Sequence, residues 1–117
     1  MSSNDLKNKI AVVTGAASGI GAAISNAFAA KGARLGLIDI DETAVKAAAD
    51  DMVSDGMEAI GIGCDVAREV ECETAIHSIT AHYGGIDILV NNAGITQRSA
   101  FVDTKVSVYR QVMDVNF

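Results

Sequence analysis

The residues in this 117-residue chain best placed to bind a ligand are glycines. Thr14-Gly15-Ala16-Ala17-Ser18-Gly19-Ile20-Gly21 follows the apolar run Ile10 to Val13 and leads into a helical pattern, so it reads as strand, tight turn and helix start. Backbone N–H groups at a helix N-terminus have no partner inside the helix, and together with the helix dipole they attract a phosphate group. Glycine suits such a turn because a Cβ would hold the ligand off the backbone, and because some turn positions need positive φ. A second chemical group, Asp39, ends the next apolar run. It stands at roughly the 20-residue distance at which dinucleotide-binding folds place an acid for the adenosine ribose. A carboxylate there accepts hydrogen bonds from the 2'- and 3'-hydroxyls and repels the extra phosphate of NADP. Two such charges about 4 Å apart cost about 4 kcal/mol at an effective dielectric near 20. Ser18 precedes Gly19 and Ile40 follows Asp39, so neither position offers a compensating base. The expected cofactor is therefore NAD rather than NADP. The competing reading makes Asp39 the N-cap of a helix beginning near Asp41.

Other chemistries fit less well. A P-loop needs Gly-Lys-Ser/Thr at the end of its glycine turn, whereas Gly21 is followed by Ala22-Ala23. Cys64 and Cys72 form neither a C-x-x-C pair nor a zinc pattern with His77 and His82, and they read as buried reduced thiols. The two histidines lie beside an apolar helical stripe and read as a solvated face. A net charge of -6 disfavours nucleic acid as a partner. No apolar stretch approaches the roughly 18 to 20 residues of a membrane span, and Met1 to Lys9 has no signal-like apolar core. The expectation is a cytoplasmic protein with no membrane partner.

The elements that must carry these groups follow from periodicity. Short β-branched or glycine-diluted runs at Lys9–Val13, Arg34–Ile38, Ala59–Gly63 and Asp87–Val90 predict four strands. Helical stripes separate them: Ile20, Ala23, Ile24, Ala27 and Phe28; then Val45, Ala48, Ala49 and Met52; then Cys72, Ala75, Ile76, Ile79 and Tyr83. Val108, Val112 and Val115 suggest a fourth helix from about Thr104, within which the sequence stops at Phe117. The alternation predicts an α/β fold, a Rossmann-type doubly wound parallel sheet with helices on both faces, truncated after about four strands. With no proline and no linker composition, residues 1–117 read as one unit, the N-terminal part of a single NAD-binding domain. Four strands would leave the far edge of the fourth open to pairing.

The glycine spacing is G-x-x-x-G-x-G rather than G-x-G-x-x-G, and in this form it resembles the signature of the short-chain dehydrogenase/reductase family. Asp65-Val66 after the third strand, Asn91-Asn92-Ala93-Gly94 after the fourth, and Asn116 beyond them are similar to further motifs of that family, in the same order. Together the matches run from about Lys9 to Phe117. The resemblance implies that Gly15, Ser18, Gly19, Ile20 and Gly21 meet the cofactor diphosphate. It further implies that Asp65 takes the adenine amino group, that Val66 packs the adenine ring, and that Asn92, Ala93 and Gly94 approach the cofactor. Asn116 would be a catalytic helix residue that holds a water in the proton relay. On the residues alone, Asn91-Asn92 also suits a turn, Asp65 a strand-end cap, and Asn116 an exposed helix position.

The family's acid/base is a Tyr with a Lys four residues later, helped by a Ser. A tyrosine near pKa 10 needs such help to exchange protons near neutral pH. Here Asp87 stands where Tyr83 would need the Lys, and Met113 where Tyr109 would need it. The resemblance thus implies an NAD-dependent oxidoreductase acting on a small alcohol or ketone, a homo-oligomer (tetramer or dimer) when whole, with these 117 residues inactive alone and with no metal. The alternative is a non-catalytic NAD- or nucleotide-binding module or interaction protein.

Overall fold

The computed structural model describes residues 5–92 and, as backbone, the strand at 113–116. The elements run β1 (Ile10–Thr14), α1 (Gly19–Ala30), β2 (Arg34–Asp39), α2 (Glu42–Ser54), β3 (Ala59–Gly63), α3 (Glu69–Tyr83), β4 (Ile88–Asn91) and β5 (Met113–Asn116). All pair in parallel in the order β3-β2-β1-β4-β5. The chain steps outward from β1 to β3, then returns to the other side of β1 for β4. That reversal between β1 and β4 is the topological switch point, outside whose strand ends ligands bind in open α/β sheets.

The apolar runs are continuous because both sheet faces are covered. Ala11, Val13, Leu35, Leu37, Ile88 and Val90 join one core with α1 and α2. Their neighbours Ile10, Val12, Ile38 and Leu89 join a second core with α3, through Cys72, Ala75, Ile76 and Ile79. This is the two-residue alternation of a strand, with an apolar partner on each side. β2 meets α3 closely: a Cβ on Gly36 would lie 2.9 Å from Ile79 Cδ1. The expected Rossmann-type sheet with helices on both faces is thus present. Among the described residues no helix is long and apolar enough to cross a membrane.

Two expectations need correction. The buried stripe of α1 is Gly21, Ser25 and Ala29, with Ile24 and Phe28 partly buried, whereas Ile20 is 62% exposed. Small residues let α1 lie close against the glycine turn, and Ser25 satisfies its buried hydroxyl by donating to the Gly21 carbonyl at 2.8 Å. Hydrophobicity alone selected the wrong neighbours. The second correction concerns the expected fourth helix. Residues 104–112 lie outside the described residues, but Met113–Asn116, Asn116 included, form a fifth strand rather than helix. β5 runs beside β4 with Asn91 opposite Asn116, so it covers the edge that four strands would have left open. The unpaired N–H and C=O groups of that edge favour an added strand, and β-branched Val115 suits a pleated backbone.

Candidate functional site

Thr14, the last residue of β1, is fully buried and joins the two strands at the switch point. Its hydroxyl donates to Asn91 Oδ1 at 3.2 Å and accepts from the Asn92 N–H at 2.9 Å. Asn92 Nδ2 reaches the Gly15 carbonyl at 3.5 Å. Asn91 is 2% exposed, and its Nδ2 has no hydrogen-bond partner among the described residues.

Above this knot the glycines divide the work. A Cβ on Gly21 would overlap the Gly15 carbonyl oxygen, so Gly21 is what allows α1 to start against the turn. Gly19 is different. Its φ is +62°, and a Cβ there would meet nothing within 4 Å. The turn therefore presents backbone to open space at Gly19, beside exposed Ser18 and Ile20. Ser18 occupies the N-cap position with extended backbone but makes no side-chain capping bond, and the first turn of α1 carries no acid. The leading N–H groups of a helix lack intrahelical partners, and here no capping side chain or acid competes for an incoming anion.

Asp39, at the end of β2, is bound to this turn. Its Oδ2 accepts from the Ala17 N–H and its Oδ1 from the Asp41 N–H, each at 3.0 Å, while the Ala16 N–H donates to the Ile38 carbonyl. The N-cap of α2 is Asp41, whose carboxylate accepts from the Ala44 N–H at 3.0 Å, so the capping role considered for Asp39 belongs to its neighbour. Each carboxylate oxygen has a second lone pair, which leaves Asp39 able to accept from hydroxyl groups as well.

After β3, the Cys64 N–H donates to the Asp39 carbonyl. Asp65 Oδ1 accepts from the Ala67 N–H at 3.0 Å, and the Asp65 N–H donates to Glu71 Oε1 at 2.9 Å. Val66 is 5% exposed and its side chain belongs to the α3-side core, so little of it remains for contact with a ligand. Cys64 and Cys72 are free and buried, and Cys72 Sγ donates to the Val66 carbonyl at 3.4 Å. Burial, then the neighbouring thiol and carboxylates, pushes Cys64 up to about 12. Burial pushes Cys72 up to about 11, against the lowering effect of the neighbouring Cys64 thiol. Both stay protonated and unreactive at neutral pH. Tyr83 is remote from the strand C-termini: its hydroxyl donates to the Leu35 carbonyl near the start of β2, and burial pushes it up to about 12. His77 and His82 are exposed on α3.

The carboxyl ends of β1, β2, β3 and β4 thus gather Gly15, Gly19, Asp39, Asp65 and Asn92, and the β5 backbone brings Asn116 to the same end. Ala93, Gly94 and Tyr109 lie outside the described residues. Sequence reasoning missed the Thr14 hydroxyl as the link between β1 and β4, and Glu71 as the partner of Asp65. A buried hydroxyl at a strand end was a usable sign for the first; nothing local signalled the second.

A family model described as short chain dehydrogenase matches residues 9–117. The chain belongs to the short-chain dehydrogenase family. It is 38% identical over 111 residues to a D-threitol dehydrogenase of Mycolicibacterium smegmatis, covering 95% of this chain and 43% of that protein. It is 37% identical over 114 residues to a mitochondrial borneol dehydrogenase of Lavandula x intermedia, covering 95% of this chain and 42% of that protein. The chain spans less than half the length of these curated relatives. Among solved structures, a short chain dehydrogenase from Mycobacterium smegmatis superposes with a TM-score of 0.90 at 23% identity, over 97% of this chain and 59% of that one. A hydroxysteroid dehydrogenase from Escherichia coli gives 0.74 at 36% identity, over 79% and 38%. The short-chain dehydrogenase fold accounts for the order of the sheet and for the placement of the glycine turn at its switch point.

Proposed function

We propose that residues 1–117 form the N-terminal part of one NAD-binding domain, in a whole protein that is an NAD-dependent oxidoreductase for an alcohol or carbonyl substrate. The observation that carries this reading is the open backbone at Gly19, beside an uncapped helix N-terminus and tied to Asp39 through Ala17. That cradle suits a diphosphate followed by a ribose. NAD, when bound, supplies the hydride acceptor. The residues of this chain bind and orient: Gly15, Ser18, Gly19 and Ile20 line the diphosphate, buried Gly21 seats the start of α1 against that turn, and Asp39 accepts from the ribose hydroxyls. Asp65 meets the adenine, with buried Val66 supporting its loop from beneath and with Asn92, Ala93 and Gly94 alongside the cofactor.

Asn116 is the one catalytic residue we assign, holding a water for proton transfer. Proton exchange with the substrate needs a Tyr assisted by a Lys, a pairing that Tyr83 and Tyr109 both lack. The 117 residues alone therefore bind cofactor without turning over alcohols.

Calorimetric titration with NAD and NADP tests the reading. NAD should bind at least about tenfold tighter, because the Asp39 carboxylate opposes a 2'-phosphate. Tighter binding of NADP would refute the role given to Asp39. Formation of reduced nicotinamide from secondary alcohols by this chain alone would refute the claim of inactivity.

A further inference from the structure

We propose that Glu71, in the first turn of α3, is a positioning residue for adenine recognition, an inference that rests on the NAD reading above. One carboxylate makes two contacts: Oε1 accepts from the Asp65 N–H at 2.9 Å, and Oε2 lies 3.2 Å from Arg68 Nε. Glu71 therefore grips the β3–α3 loop at both ends. Between those ends the loop closes on itself, with the Ala67 N–H on Asp65 Oδ1 at 3.0 Å and the Arg68 N–H on the Asp65 carbonyl at 2.9 Å. Its inner side is anchored in the core, where Val66 is buried and its carbonyl accepts from Cys72 Sγ at 3.4 Å.

Two consequences follow for Asp65. With Oδ1 already accepting from Ala67, Oδ2 is the freer oxygen to accept from an adenine 6-amino group. The direction of that oxygen depends on the Asp65 backbone, whose N–H is held by Glu71. Charge-assisted bonds from a carboxylate to backbone N–H groups are among the stronger ones available. Loss of this bond frees the Asp65 backbone without opening the core beneath it.

The experiment compares the wild-type protein, Glu71→Ala and Glu71→Gln in titrations with NAD and with nicotinamide hypoxanthine dinucleotide, which carries a carbonyl in place of the adenine amino group. Glu71→Ala should weaken NAD binding about five- to tenfold, as expected for one aimed hydrogen bond, and leave the hypoxanthine analogue within about twofold. Glu71→Gln keeps an acceptor for the Asp65 N–H and should recover most of the loss. If Glu71→Ala does not fold, Glu71→Asp, which keeps the charge but shortens the reach, carries the same expectation. Unchanged NAD affinity in the variant, or equal weakening of both dinucleotides, overturns the inference alone. A wild-type protein that binds neither dinucleotide overturns the NAD reading and this inference with it.

Discussion

α1 and α2 pack on the same face of the sheet, yet their N-termini are finished in opposite ways. α2 begins at Asp41, whose side chain accepts from the Ala44 N–H, and carries Glu42 in its first turn, paired with Lys46 at 2.9 Å. α3, on the other face, has Glu69 and Glu71 in its first turn. α1 has neither a capping bond nor an acid. A capping side chain or an early acid stabilises a helix by neutralising its positive end. The chain uses that device at α2 and α3 and leaves it out at α1, where the glycine turn opens to solvent. Cys72 registers the same contrast. A helix N-terminus ordinarily lowers a thiol pKa, but burial and then Asp65, Glu71 and Glu69 push Cys72 up to about 11. On the proposed reading the phosphate therefore belongs at the start of α1 rather than at the start of α3.

The largest test of this contrast lies in the turn itself. Gly21→Ala drives a Cβ into the Gly15 carbonyl and within 2.9 Å of Asn92 Nδ2, and should cost about 3 kcal/mol or more in thermal or urea unfolding. Gly19→Ala adds a methyl in open space at φ +62°, so it should cost only about 1 to 2 kcal/mol yet lower NAD affinity at least about tenfold. Similar damage to stability from both would mean that the two glycines share one structural role.

Alkaline pH probes the start of α3. The thiols ionise near 9.0 in an unfolded chain but keep their protons to about 12 and about 11 in the fold, and Tyr83 shifts from 10.0 to about 12. Above pH 9 the unfolded state binds fewer protons than the native state, so stability that is complete below pH 9 declines as the pH rises toward 11. The three groups together should remove several kcal/mol of stability by pH 11. A urea midpoint that stays flat from pH 8 to 11 would contradict the burial of these groups.

A matched pair of substitutions gives the smallest effects. Ile20→Glu places an acid in the first turn of α1 and should stabilise the free protein by about 0.3 to 1 kcal/mol while weakening NAD at least about tenfold. Asp41→Ala removes the cap of α2 and should cost about 1 kcal/mol with NAD affinity unchanged. If both variants bind NAD like the wild type, the N-terminus of α1 is not where the diphosphate sits.

Local pattern made much of the molecule legible. Four apolar runs became β1 to β4, and the stripes Val45–Met52 and Cys72–Ile79 became the buried faces of α2 and α3, because burial on a regular element recurs at the element's own period. The stripe of α1 was misread where Gly21 and Ser25 are buried for their small size rather than their hydrophobicity. The segment Met113–Asn116 was misread because three valines at helical spacing could not reveal the open edge of β4.

The glycine spacing, the acid after β2 and the chemistry open to them were properties of the sequence by itself, since each depends on residues close together in the chain. Tertiary structure decided the rest: Asp41 rather than Asp39 caps α2, Thr14 joins β1 to Asn91 and Asn92, Glu71 holds Asp65, and Gly19 rather than Gly21 faces open space. Each of these turns on which groups meet once the strands lie side by side and the helices pack against them, and no local spacing encodes that meeting.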